Sequence, residues 1–434
     1  MQSKLLPGGA LRGEARVPGD KSISHRAIML GALAHGTTNV NGFLEGEDAL
    51  ATLAAFRAMA VEIVGPQHGS VTIRGVGLHG LIAPTKPLDL GNAGTGMRLM
   101  CGLLAGQAFD SELTGDVSLR SRPMGRVIDP LTRMGASIQS AAGGRPPLSI
   151  RGGQRLRGIH YDLPMASAQV KSCVLLAGLY SEGRTSVTEP APTRDHTERM
   201  LRGFGYQVQC DKGVISLHGG GALRACDIDI PADISSAAFF LVAASIAPGS
   251  DLLLTHVGIN PTRIGVVTIL QLMGADITFH NRREVGGEPV ADIRVRSAPL
   301  RGIEIPIEQV PLAIDEFPAL FIAAACAKGR TVLRGAEELR VKESDRIAAM
   351  AEGLSTLGVC NEILDDGIII EGGNIGGGVI HTYHDHRIAM SFAIAALRAA
   401  DKITVLDCDH VATSFPGFDT LALGLGLHIS AVLG

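Results

Sequence analysis

Most side chains in this chain that could do chemistry stand just ahead of, or within the first turn of, an apolar run with helical spacing. The first such segment reads Pro18-Gly-Asp-Lys-Ser-Ile-Ser-His-Arg26. Gly19 and Asp20 form its turn, and Ile23, Ala27, Ile28 and Leu30 begin an apolar face, which leaves Lys21, Ser22 and Arg26 at the N-terminal end of a helix. Free N–H groups and a positive dipole end favour phosphate or carboxylate there. A nucleotide-binding P-loop needs a Gly-Lys-Ser run, and Asp20 separates Gly19 from Lys21-Ser22, so a nucleoside triphosphate is not indicated. A capped surface helix carrying two solvated cations is the competing structural explanation.

Leu90-Gly-Asn-Ala-Gly-Thr-Gly-Met-Arg98 precedes a helix through about Leu104, with glycines that allow close backbone approach and with Asn92 and Thr95 as candidate caps. Ser118-Leu-Arg-Ser-Arg-Pro-Met124 offers Arg120 and Arg122, which solvation would explain as well as ligand binding. Ser167 and Gln169 open a further apolar helix and suit hydroxyls or phosphate, or else simply cap it, while Arg194 lies just before another. The acids come later. Asp315 and Glu316 precede an apolar helix where a carboxylate complements the dipole, and Arg340-Val-Lys-Glu-Ser-Asp-Arg346 packs five charges ahead of Ile347. Tyr383-His-Asp-His-Arg387 supplies a cation in Arg387, and its histidines with Asp385 lack the further ligands that a metal site requires. Together, Lys21, Arg26, Arg122, Arg194, Lys342, Arg346 and Arg387 imply a concentrated positive cleft between two halves of the chain, suited to small polyanions.

The elements positioning these residues are bounded by composition. At 434 residues, 46% hydrophobic, with 55 glycines, the chain fits two or three domains of short, tightly turned elements. A net charge of −4, no Trp and four Tyr argue against nucleic-acid binding. The longest apolar runs fall short of a membrane span and the N-terminus lacks a signal-peptide core, so a soluble cytoplasmic protein is expected. Seven scattered cysteines without a Cys-x-x-Cys pair are expected to be reduced core thiols.

Two interleaved signatures recur with a period of about 70 residues. One is a helix ending in a small-residue turn before a strand, at Phe56–Ile63, Leu131–Ile138, Leu201–Val208, Leu270–Ile277, from Leu354 and from Leu421. The other is a turn into a β-rich segment, beginning at Gly36, Asp110, Gly183, Gly249, Gly329 and Asp401. Glycine at a helix end supplies the left-handed cap from which a strand departs. Six units in two groups of three are expected, with chain crossings at residues 17–20 and 226–236. Residues 1–19 plus 231–434 would then form one discontinuous domain and 20–230 an inserted one.

Pro18–Arg26, Leu90-Gly-Asn-Ala-Gly-Thr, Arg122-Pro-Met, Lys342-Glu-Ser-Asp-Arg and Asp385-His-Arg-Ile-Ala-Met occur in the order found in the 5-enolpyruvylshikimate-3-phosphate synthase family, which the sequence resembles over nearly its whole length. The resemblance implies an α/β fold of two domains, each of three βαβαββ units in an inside-out α/β barrel, closing over substrates at their interface. It implies a monomeric transferase of the shikimate pathway, without cofactor or metal, that moves the enolpyruvyl group of phosphoenolpyruvate to the 5-hydroxyl of shikimate 3-phosphate.

By the same resemblance Lys21 touches both substrates. Ser22, Arg26, Ser167, Gln169, Arg194, Asp315 and Lys342 hold shikimate 3-phosphate, and Gly94, Arg122, Gln169, Arg346 and Arg387 hold phosphoenolpyruvate. Glu343 is implied as proton donor and Asp315 as base, with Lys342 and Arg346 opposing protonation of Glu343. Where many members carry Lys before the late Phe-Pro motif, this chain has Thr413 ahead of Ser414-Phe-Pro, a pattern closer to the family's divergent second class. Gly94 carries no side chain, so inhibition by glyphosate is expected. Two rivals remain: an enolpyruvyl transferase acting on a UDP-sugar, and a non-catalytic anion-binding protein.

Overall fold

The computed structural model describes residues 2–432. By contacts between its own residues the chain divides into two compact units, one of residues 1–18, 231–284 and 289–434, the other of residues 19–230 and 285–288. Each has its own contiguous apolar core.

The repeat follows from backbone chemistry. Gly135, Gly205, Gly274, Gly358 and Gly426 all take positive φ where a helix gives way to a strand, as the small-residue signature requires. At the first repeat Ala60 occupies the same left-handed conformation, φ 65°, which costs a residue with a Cβ more than it costs glycine. In five units the strand that follows turns back as an antiparallel hairpin, as at Ser137–Ala141 with Arg145–Arg151. The β-rich segments lie in six sheets, three in each compact unit, and are central strands in five of them; in the sixth, Arg330–Leu333 is an edge strand beside Gly367–Glu371. Most of these strands gain a parallel partner on the other edge, for example His160–Asp162 beside Arg184–Thr188.

The repeats are closed by exchanged segments. In the sixth, Gln2–Leu5 takes the place of the returning hairpin strand, pairing antiparallel with both Ile403–Val405 and Ile429–Val432. Arg12–Ala15 supplies the parallel edge for Asp251–Gly258, and Leu223–Arg224 with Ile228–Asp229 does so for Ala34–Asn41.

Helices fill the interior. In the discontinuous unit these are Ile234–Ile246, Phe317–Cys326 and His386–Ala395, packed on one another; all thirteen residues of the first are buried. A helix apolar on every side can be stable in water only when surrounded, and each fully buried Leu, Ile or Phe contributes about 1.5–3 kcal/mol. In the other unit Lys21–Leu33, Gly94–Leu104 and Ala168–Gly178 take that place. Helices inside and sheets outside are the arrangement expected above. Among the described residues no helix is long and apolar enough to cross a membrane. The cysteines are unpaired, but Cys210 and Cys360 are exposed, correcting the expectation that all seven are core thiols.

Candidate functional site

In each unit the polar segments lie at or just before helix N-termini. In the unit of residues 19–230, Asp20 caps the Lys21 helix, its carboxylate accepting from Ile23 N at 2.8 Å. Lys21 Nζ lies 3.0 Å from Asp48 Oδ2. Arg26 is buried, not solvated: Nε donates to Thr197 Oγ1 (2.7 Å), Nη2 to Ser172 Oγ (2.8 Å) and Nη1 to the Ser22 carbonyl (2.9 Å). Burial pushes its pKa down to about 10, against the opposing pull of Glu198 and Asp20. The charge of Arg194, in the half-buried loop before the helix His196–Gly203, also bears on Arg26.

Asn92 and Thr95 do not cap the Gly94 helix, whose N-cap is Ala93 without any side-chain bond. Asn92 instead accepts from Arg122 Nη2 and donates to Asp116 Oδ2 at 2.8 Å, while Thr95 Oγ1 accepts from Gln169 Nε2 at 2.9 Å. Gln169 Oε1 in turn accepts from Arg98 Nη1 at 2.6 Å, so Gln169 ties two helix starts together and orients a guanidinium. A Cβ built on Gly94 would stand 3.0 Å from Arg122 Nη1 and 3.6 Å from Arg98 Nη1. Two guanidiniums therefore flank a side-chain-free helix start, an arrangement matched to an anion. Ser167 does cap its helix, accepting from Val170 N at 3.4 Å, and still has an O–H to donate.

In the other unit the five charges at 340–346 divide by task. Arg340 is structural, bonded to Asp345 Oδ2 (2.9 Å) and to the carbonyls of Leu364 and Asp365. Asp345 caps the helix Arg346–Thr356. Arg346 is 1% exposed and its guanidinium meets three carboxylates: Asp385 Oδ2 at 2.8 Å, Glu343 Oε2 at 2.6 Å and Asp315 Oδ1 at 3.5 Å. Burial works against that charge, but Asp385, Glu343 and Asp315 outweigh it and hold the Arg346 pKa above its ordinary value. Asp385 is held below its usual range although burial opposes this, because Arg346 sits against it. Lys342 Nζ bridges Asp315 Oδ1 (3.2 Å) and Glu338 Oε1 (2.6 Å). Arg387 Nη1 donates to the Asp315 carbonyl at 2.7 Å. The structure thus brings Asp315, Lys342, Glu343, Arg346 and Arg387 together. Thr413 places no charge nearby, its hydroxyl donating to the His410 carbonyl at 2.6 Å.

Sequence reasoning missed several participants. Arg98 is one helical turn beyond Gly94, and that spacing alone would have found it. Asp385, weighed there as a metal ligand, is occupied by Arg346, Ser344 Oγ (3.0 Å) and the Arg387 N–H (2.9 Å), and no group of potential metal ligands occurs among the described residues. Nothing in the sequence pairs Asp48 with Lys21.

Residues 5–421 match the family described as EPSP synthase (3-phosphoshikimate 1-carboxyvinyltransferase). The chain belongs to the EPSP synthase family. It is 68% identical over 431 residues to the 3-phosphoshikimate 1-carboxyvinyltransferase of Alkalilimnicola ehrlichii, covering 99% of this chain and 97% of that one. To the enzyme of the same name from Methylococcus capsulatus it is 66% identical, covering 98% and 97%. The EPSP synthase structure from Acinetobacter baumannii superposes with a TM-score of 0.91 at 60% identity, each chain covered in full. The enolpyruvyl transferase NikO from Streptomyces tendae, at 18% identity and a TM-score of 0.81 over 100% of this chain and 99% of that one, shares the fold. EPSP synthase relatives therefore extend across the segments that carry both groups of polar residues.

Proposed function

We propose that the protein transfers the enolpyruvyl group of phosphoenolpyruvate to the 5-hydroxyl of shikimate 3-phosphate, releasing phosphate, a step toward chorismate and the aromatic amino acids. The observation that carries this reading is the single buried guanidinium of Arg346 holding Asp315 and Glu343 together, with Lys342 against Asp315. Addition of the hydroxyl to C2 of phosphoenolpyruvate needs one proton delivered to the methylene carbon and one removed from the attacking oxygen; loss of phosphate and of a methyl proton then restores the enol ether. Two carboxyl groups fixed on one cation are positioned for both transfers; the cation favours the ionised form that a base needs and opposes the protonated form that a donor needs. In this reading Glu343 is the donor and Asp315 the base.

Arg122, Arg346 and Arg387, with Lys21, Gln169 and the bare Gly94, hold phosphoenolpyruvate. Lys21, Ser22, Arg26, Ser167, Gln169, Arg194, Asp315 and Lys342 hold shikimate 3-phosphate. Cations offset the mutual repulsion of two anionic substrates, and fixed orientation converts a bimolecular encounter into a local one. Phosphate release is the test. It is expected only when both substrates are supplied; release with UDP-N-acetylglucosamine as acceptor, or binding of both substrates without turnover, would refute the proposal.

A further inference from the structure

Glu316 has no part in the reading above, yet its surroundings are unusual for a carboxylate. It is 1% exposed and occupies the N-cap position of the apolar helix Phe317–Cys326, but its side chain makes no capping bond. Its Oε1 accepts from Ser235 Oγ and lies 3.7 Å from both Arg263 Nη2 and Arg387 Nη1. Its Oε2 is buried and accepts no hydrogen bond among the described residues. A buried ion with unused acceptor capacity costs stability, and an apolar side chain of similar volume would cost the fold less. Arg263 does not need Glu316 as its sole counter-ion, since Asp233 Oδ1 is 3.3 Å away and Ser235 Oγ accepts from it at 2.6 Å.

The effect on Arg387 accounts for the carboxylate. Nη1 is pinned by the Asp315 carbonyl on one side and drawn to Glu316 on the other, while Nε and Nη2 meet no protein acceptor among the described residues. A guanidinium fixed at one nitrogen keeps its remaining edge in a set direction, and a bidentate contact with a phosphate or carboxylate depends on that direction. We propose that Glu316 is a positioning residue for phosphoenolpyruvate: paired with Arg263, it anchors Nη1 of Arg387 so that the opposite edge is presented to the anion.

The inference rests on the functional reading above, and steady-state kinetics separate the two. Glu316→Gln, nearly isosteric, is expected to raise the KM for phosphoenolpyruvate about tenfold while kcat stays within about threefold and the KM for shikimate 3-phosphate within about twofold. In an Arg387→Lys background the same change is expected to add less than about twofold, because the group it positions is gone. Equal shifts in both KM values, no shift, or effects that multiply in the double variant would overturn the inference and leave a purely structural Glu316. If Glu316→Gln gives no soluble protein, Ser235→Ala, which keeps every charge but removes one donor to Oε1, is expected to show the same selective rise at about threefold; an unselective change there overturns the inference equally. A wild-type protein that releases no phosphate from the substrate pair overturns the functional reading and this inference with it.

Discussion

Arg346 carries more of the candidate site than any other side chain, because one buried cation fixes the positions of Asp315, Glu343 and Asp385. Replacing Glu343 by Gln keeps nearly the same shape and removes the transferable proton. Shikimate 3-phosphate binding should persist, while turnover falls by about a hundredfold or more, measured as phosphate release beside a binding titration. At Gly94 the consequence is steric. A methyl group 3.0 Å from Arg122 Nη1 must push that guanidinium aside by a few tenths of an ångström, so Gly94→Ala should raise the KM for phosphoenolpyruvate and weaken the inhibition by millimolar glyphosate expected of the wild type. Wild-type activity indifferent to millimolar glyphosate would contradict this. His25 links the site to acid stability: burial, then Lys21 and Arg26, lower its pKa from 6.5 to about 3, and its Nδ1 is 2.8 Å from Thr52 Oγ1. A depressed histidine favours the folded state fully above pH 6.5 and progressively less as pH falls towards 3. The full loss is on the order of 5 kcal/mol, and His25→Gln should flatten that slope in denaturant titrations run across the window.

At the scale of elements, the helices Gly94–Leu104 and Ala168–Gly178 pack closely because Gly102 permits it: a Cβ there would lie 2.1 Å from the Cys173 carbonyl oxygen. Backbone cannot give way as a side-chain tip can. Gly102→Ala should cost about 3 kcal/mol, read as a fall in melting temperature, and should impair catalysis as well, since the Gln169 bonds to Arg98 and Thr95 span the same two helices. The helix starts themselves were legible in sequence, because Asp20, Ser167 and Asp385 are capping residues ahead of apolar runs. Asn92 and Thr95 were misread since a capping side chain with a stronger partner leaves the helix end; Arg122 claims the one and Gln169 the other. The six-fold repeat was legible for a similar local reason, namely that left-handed helix ends select glycine.

For the whole molecule, the N-terminal segment contributes to two distant sheets. Gln2–Leu5 lies between Ile403–Val405 and Ile429–Val432, and Arg12–Ala15 borders Asp251–Gly258. Deleting residues 1–15 removes a central strand from one sheet and an edge from another, and should lower the thermal transition by about 10 °C or abolish folding of that unit, followed by circular dichroism. A truncated chain melting like the full one would refute that account. What the sequence determined by itself is everything set by near neighbours: the helix-to-strand turns, the apolar interior helices and the placement of cations and acids at helix starts. Only the tertiary structure decided which charge meets which. Arg346 could have been solvated beside its neighbours Lys342 and Asp345, and it is buried because Asp385, 39 residues further on, compensates its desolvation. Such pairings join elements far apart in the chain, and their energy comes from a low-dielectric interior that exists only once the helices have packed.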